Sequence, residues 1–86
     1  MQLTVYSKTV CSQCAPVKAF LKYHKIPYNL LNIDNDNEAY EFLKQRGFQS
    51  TPVLIVKDDQ GNEIKNSFGR QAARDIFEWH KQGLLD

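Results

Sequence analysis

Apolar side chains recur along this chain with two periods, and the changes between them mark the elements. Leu3 and Val5 alternate with Thr4 and Tyr6, the period of two of a strand over residues 3–6. Over residues 12–25 the spacing lengthens, so that Cys14, Val17, Phe20, Leu21 and His24 share one face of a helix, and Pro27 helps to stop it. Residues 28–33 read as a second strand. Residues 34–37 offer N-caps to a second helix, with Ala39, Phe42 and Leu43 as its buried stripe and Gly47 at its end. Val53-Leu54-Ile55-Val56 is an unbroken apolar run of the kind that fills a strand buried on both faces. A turn cluster over residues 58–62 then returns the chain through residues 63–67 as a hairpin partner. Gly69-Arg70 leads into a last helix, where Ala73, Ile76, Phe77 and His80 recur on one face before Gly83 breaks it.

The order is βαβαββα, an α/β arrangement with a four-stranded mixed sheet and three helices. The first two strands, joined through a helix, are expected to lie parallel with a right-handed crossover. No repeat, low-complexity stretch or linker interrupts the 86 residues, so residues 1–86 read as one domain. The pattern leaves open whether Leu84-Leu85-Asp86 packs back or frays.

Composition narrows the function classes. An apolar fraction of 42%, with five Phe, four Tyr and one Trp, describes a folded protein. A net charge of +1 without a basic block argues against a nucleic-acid partner. The first six residues are too short and polar for a signal segment, and no apolar run approaches the roughly 20 residues of a membrane span. A cytoplasmic monomer is expected. In that reducing compartment a cysteine pair serves catalysis more often than it staples a fold.

The two cysteines, Cys11 and Cys14, stand at the junction of the first strand and helix. Their spacing lets them close a disulfide and open it again, and it also suits half of a metal site. Thiol–disulfide exchange needs one accessible thiolate and a second thiol to resolve the mixed disulfide. Cys11 fits the first role, because unpaired N–H groups and the dipole at a helix N-terminus favour a negative charge there. Lys8, just upstream, adds to that field, and Cys14, one turn into the helix, suits the resolving role. Zinc or an iron–sulfur cluster needs three or four ligands, for which the chain adds only His24 and His80, both on stripes expected to be buried. A cluster module using the pair as ligands is the reading from another class.

Thr51-Pro52 is the second feature with chemical meaning. Proline before a central strand removes a ladder donor, and X-Pro is the common site of a cis peptide. A cis bond here would turn the Thr51 backbone toward the thiols, where it can pair with an incoming peptide as a strand does.

Taken in order, Val5-Tyr6-Ser7-Lys8, the CxQC form with Gln13, Val17-Lys18, Asn32-Ile33-Asp34, Gly47-Phe48, Thr51-Pro52-Val53 and Ser67-Phe68-Gly69-Arg70 resemble the NrdH-type glutaredoxin-like redoxins of the thioredoxin superfamily over nearly the whole chain. The resemblance implies a thioredoxin fold and a small electron carrier without a bound cofactor. It implies reduction of a disulfide in ribonucleotide reductase and re-reduction by thioredoxin reductase, a flavoprotein drawing on NADPH. It places Cys11 and Cys14 as the catalytic pair and Lys8, Val10, Ser12, Gln13, Thr51, Pro52, Gly69 and Arg70 at the partner surface. The chain departs from that family at Ser67-Phe68-Gly69-Arg70-Gln71, where members commonly read Ser-Gly-Phe-Arg-Pro. Glutaredoxins that bind glutathione carry a Gly-Gly pair and an Asp at the start of the last helix. Here Gly69-Arg70-Gln71-Ala72 stands in that place and Asp75 follows about a turn later, so weak glutathione binding is expected. A glutathione-dependent glutaredoxin remains the alternative within the superfamily, with Lys8, Thr51 and Arg70 available to a carboxylate. Tyr23 and Trp79 read as partly buried helix residues.

Overall fold

A computed structural model describes residues 1–85. Asp86, the end of the tail whose course the pattern leaves open, lies outside the described residues. The elements follow in the expected order: β1 (Gln2–Ser7), α1 (Cys14–Tyr23), β2 (Asn29–Asn32), α2 (Asn37–Arg46), β3 (Val53–Lys57), β4 (Glu63–Phe68) and α3 (Ala72–Lys81), with a single 3-10 turn (Gly69–Gln71) before α3. The sheet runs β2-β1-β3-β4. β1 and β2 are parallel, while β1 with β3 and β3 with β4 are antiparallel.

The unbroken apolar run of β3 explains the layering. Leu54 and Val56 point to one face, where Leu3, Val5, Val17, Leu21, Ile76 and Trp79 complete a core under α1 and α3. Val53 and Ile55 point to the other, where Leu43 of α2 joins them in a smaller core edged by Tyr6, Ile33, Phe42 and Phe48. The thinner packing on the α2 side leaves a groove between that helix and the end of β1.

Helix ends follow local chemistry. Asp36 caps α2 by accepting the Ala39 N–H at 3.1 Å, and Gly47, at φ +79°, closes it. The helix expected over residues 12–25 is shorter at both ends. Residues 12 and 13 form a turn in which the Cys14 N–H donates to the Cys11 carbonyl at 3.3 Å. Pro16 therefore occupies the third helical position, where its missing N–H costs no intrahelical bond. At the other end Lys25 takes a left-handed φ of 56°. Its N–H donates to the Lys22 carbonyl and that of Ile26 to the Leu21 carbonyl, so the chain reverses before it can continue the helix.

Two helix faces differ from the expected stripes. In α3 the buried residues are Ala72, Ile76 and Trp79, the last 6% exposed, while Phe77 is 49% exposed. His24, just past the end of α1, is exposed instead of buried, and Tyr23, expected to be partly buried, is 81% exposed. His24 meets His80 across the α1–α3 seam, the rings tilted with centroids 4.4 Å apart, and Phe20 contacts both. The tail packs back as far as Leu85, which joins the larger core. No helix among the described residues is long and apolar enough to cross a membrane.

Candidate functional site

β1 ends at Ser7, at the carboxyl end of an interior strand, and residues 8–13 loop from there to α1. That loop is anchored to the end of β2. Asp34 accepts the Thr9 N–H at 2.8 Å, and the Asn32 amide donates to the Thr9 hydroxyl at 3.3 Å. The bond from Thr9 holds the Asp34 carboxyl below its ordinary range, with the Lys8 charge adding to the effect. Asn32-Ile33-Asp34 therefore serves as the clasp of the cysteine loop.

Within the loop Cys11 and Cys14 form a disulfide, with their Cα atoms 5.3 Å apart. Cys14 is 1% exposed, shut beneath the start of α1, whereas Cys11 is only half-buried and faces a surface cavity. The Thr51 hydroxyl lies 3.3 Å from the Cys11 sulfur. The Thr51-Pro52 peptide is cis, as the sequence suggests, and both residues are buried. α1 begins without an acidic residue in its first turn, so the helix's own side chains place no negative charge beside a thiolate at its N-terminus.

The expected surface residues fall into two adjoining cavities. Lys8, Val10, Cys11, Ser12, Gln13 and Thr51, with Gln49 and Ser50, line one of about 260 Å³. Gln13, Gly69 and Arg70 line another of about 310 Å³ on the far side of Ser50, together with Phe68 and Gln71. Val10 is 83% exposed, an apolar side chain held in solvent beside the reactive pair. Pro52 is enclosed behind this surface.

Gly69 is buried at φ +66°, with its N–H donating to the Pro52 carbonyl at 2.9 Å. A side chain there would meet Ser50, so the exchange of Phe and Gly relative to the family pattern gives the left-handed position to glycine. Phe68, displaced to the end of β4, packs edge-on against Phe48. Asp75 is turned inward, where its carboxylate accepts the Ser67 hydroxyl.

Gln49 and Ser50 line the cavities without having been singled out from the sequence, and Phe68 and Gln71, read there only as part of the altered segment 67–71, line the second one. Gln49 and Ser50 had a signal, since they directly precede Thr51-Pro52 and must share its loop. As for metal ligands, among the described residues no group of three or more His, Cys, Asp or Glu side chains gathers. His24 follows the last turn of α1, about 15 Å along the axis from Cys14 at 1.5 Å per residue.

An accessible sulfur bonded to a buried one, at a strand-to-helix junction beside a cis proline, is a unit that can accept and return two electrons. The sequence model of the glutaredoxin family matches residues 3–60. The chain belongs to the glutaredoxin family. The glutaredoxin-like protein NrdH of Lactococcus lactis subsp. cremoris is 47% identical over 57 residues, a match covering 66% of this chain and 78% of that protein. Among solved structures, the NrdH-redoxin from Escherichia coli, described as glutaredoxin-like with a thioredoxin-like activity profile, aligns with a TM-score of 0.73 at 26% identity over 90% of this chain and 93% of that one. Thioredoxin 1 from Thermosipho africanus aligns with a TM-score of 0.66 at 17% identity over 98% and 94% of the two chains, a likeness of fold. This glutaredoxin thus has a thioredoxin fold and is an NrdH-type redox protein, a thiol–disulfide oxidoreductase with its disulfide at Cys11 and Cys14.

Proposed function

We propose that this redoxin is a dithiol electron carrier that reduces a protein disulfide, with ribonucleotide reductase as client and thioredoxin reductase as the source of electrons. One observation carries the division of labour: Cys11 faces a cavity beside the Thr51 hydroxyl at 3.3 Å, while Cys14 is 1% exposed. In the reduced protein the Cys11 thiolate attacks one sulfur of the client disulfide, and the other client sulfur leaves as a thiolate. Cys14 then attacks the Cys11 sulfur of the mixed disulfide, releasing the second client thiol. Two electrons and two protons pass to the client, and the redoxin is left oxidised. NADPH restores the dithiol through the flavin of the reductase, and the exchange takes place in the cytoplasm.

Two features support a reductase in place of glutathione. Asp75, the nearest acid to the start of α3, already accepts from Ser67, and the Gly69 N–H is held by Pro52. The Gly69 N–H is thus not free for the carboxylate of a tripeptide, and Asp75 is drawn toward Ser67. The thioredoxin-like activity profile of the Escherichia coli NrdH-redoxin agrees with this reading.

The test is reduction of a protein disulfide by this redoxin, driven either by NADPH with thioredoxin reductase or by glutathione with its own reductase. Turnover is expected with the first system, absent in Cys11→Ser, and arrested at a stable mixed disulfide in Cys14→Ser. Turnover with glutathione alone would overturn the proposed electron source, and full dithiol activity in Cys14→Ser would overturn the roles.

A further inference from the structure

The cavity at Cys11 does not end at the cysteine loop. Lys8, Gln49, Ser50 and Thr51 also line a larger groove of about 550 Å³ that continues toward α2. It is the space left by the thin packing on that side of the sheet. Its walls combine two chemistries. Ile33, Leu43 and Phe48 give it an apolar floor, and Tyr40, 46% exposed, stands over it from α2. Lys8 and Lys44 bring two cations to it.

Charge decides what such a groove accepts. Among the described residues the ion pairs are Met1 with Asp59 and Arg46 with Glu63, so neither groove lysine is paired with a carboxylate. Asp34, the acid on its lining, already accepts the Thr9 N–H. Asp34 keeps its own charge and lies in the field of Lys8, so two cations against one acid leave the groove a net positive charge above apolar surface. Because Thr51 lines it and lies against Cys11, an occupant extended along it places its next residues at the reactive sulfur.

We propose that this groove selects the client: it takes the segment beside the client's disulfide and favours one carrying an aromatic or aliphatic side chain and a carboxylate. The proposal rests on the oxidoreductase reading above and adds the class of peptide that the redoxin prefers. The apolar side chain fills the space between Tyr40 and Phe48, and the carboxylate lies between Lys8 and Lys44. Burial of the first gives affinity, and the second discriminates among clients, as complementary charge does at interfaces.

The experiment follows single-turnover transfer from the pre-reduced redoxin, without any reductase, to three short peptide disulfides. These share one cystine and differ in the flanking pair, Asp-Phe, Lys-Phe or Asp-Gly; glutathione disulfide is a fourth oxidant. The wild type is expected to reduce the Asp-Phe peptide about fivefold faster than each of the others, a preference for acid over base that added salt weakens. Lys44→Glu is expected to bring the ratio of Asp-Phe to Lys-Phe to one or below, and Tyr40→Ala to remove the advantage of Phe over Gly. Equal rates in the wild type, or ratios unchanged in both variants, would overturn the proposal, because a variant that only loosens the fold slows all peptides together. Glutathione disulfide reduced as fast as the Asp-Phe peptide would overturn it too, giving the groove to a small tripeptide. Transfer to no disulfide at all would instead bring down the underlying oxidoreductase reading.

Discussion

The Thr51 hydroxyl faces the Cys11 sulfur at 3.3 Å, and Thr51 is only 8% exposed. When the disulfide opens, that hydroxyl becomes a donor to the thiolate, held in place by the burial of Thr51. A hydrogen bond to a charged group contributes about 1.5–3 kcal/mol. Thr51→Val keeps the shape and removes the donor, so the Cys11 thiol should be harder to ionise. Alkylation of the reduced variant by iodoacetamide is expected to be about tenfold slower at mildly acidic pH, with the pH profile displaced upward. A profile superimposable on the wild type's would mean that the hydroxyl does not serve the thiolate.

Lys25 closes α1 in the left-handed conformation that a side chain disfavours. The capping bonds from Lys25 and Ile26 are backbone bonds and survive any substitution there other than proline. Lys25→Gly should therefore stabilise the protein by about 0.5–1 kcal/mol, the relief at φ 56° outweighing the greater freedom of glycine in the unfolded chain. Urea unfolding followed by the fluorescence of the buried Trp79 measures the change, and a lower midpoint would contradict it.

The layering was legible in the sequence because β3 is apolar without interruption, which only a strand covered on both faces tolerates. The cysteine pair and Thr51-Pro52 were legible because their chemistry is local. The face of α3 was not. Ala73, Ile76, Phe77 and His80 form as good a stripe as Ala72, Ile76 and Trp79, and the two share Ile76. Periodicity does not choose between them; the core has room for the indole, and Phe77 is left to pack on Phe20 at the seam. His24 misled for the same reason, since it sits at helical spacing and yet is exposed, meeting the partly buried His80 across two helices. The α2 groove was invisible for a different reason. Tyr40 and Lys44 fall outside the stripe of Ala39, Phe42 and Leu43, and only the fold brings them beside Lys8 and Thr51.

Glu63 provides a test in acid. Arg46 donates to both of its carboxylate oxygens at 2.8 Å, and Asn66 donates to one of them, so its pKa falls from 4.5 to about 2. A carboxylate depressed in the folded state stabilises fully above its unfolded pKa of 4.5, and that contribution is lost as pH falls from there to about 2. Glu63→Gln should cost no more than about 1 kcal/mol at neutral pH, because the pair lies near the surface. The melting temperature of the variant should decline less steeply than that of the wild type across that acid window, and high salt should narrow the gap. Parallel declines would assign the acid sensitivity to other carboxylates.

Gly69 couples the departure from the family pattern to the site itself. It sits at φ +66°, and a Cβ there would lie 3.2 Å from the Ser50 Cβ, one residue before Thr51. The left-handed conformation costs a side chain roughly 1–2 kcal/mol. Ser50 would also have to give way by a few tenths of an ångström, carrying its neighbours with it. Gly69→Ala should therefore lower stability by about 1–2 kcal/mol in denaturant unfolding and also slow alkylation of reduced Cys11, by displacing the Thr51 hydroxyl. The two effects separate in the double variant. In a Thr51→Val background the alkylation penalty of Gly69→Ala should vanish while its stability penalty remains, because no hydroxyl is left to displace. Equal alkylation penalties in both backgrounds would mean that the contact with Ser50 acts on the cysteine loop by a route other than Thr51.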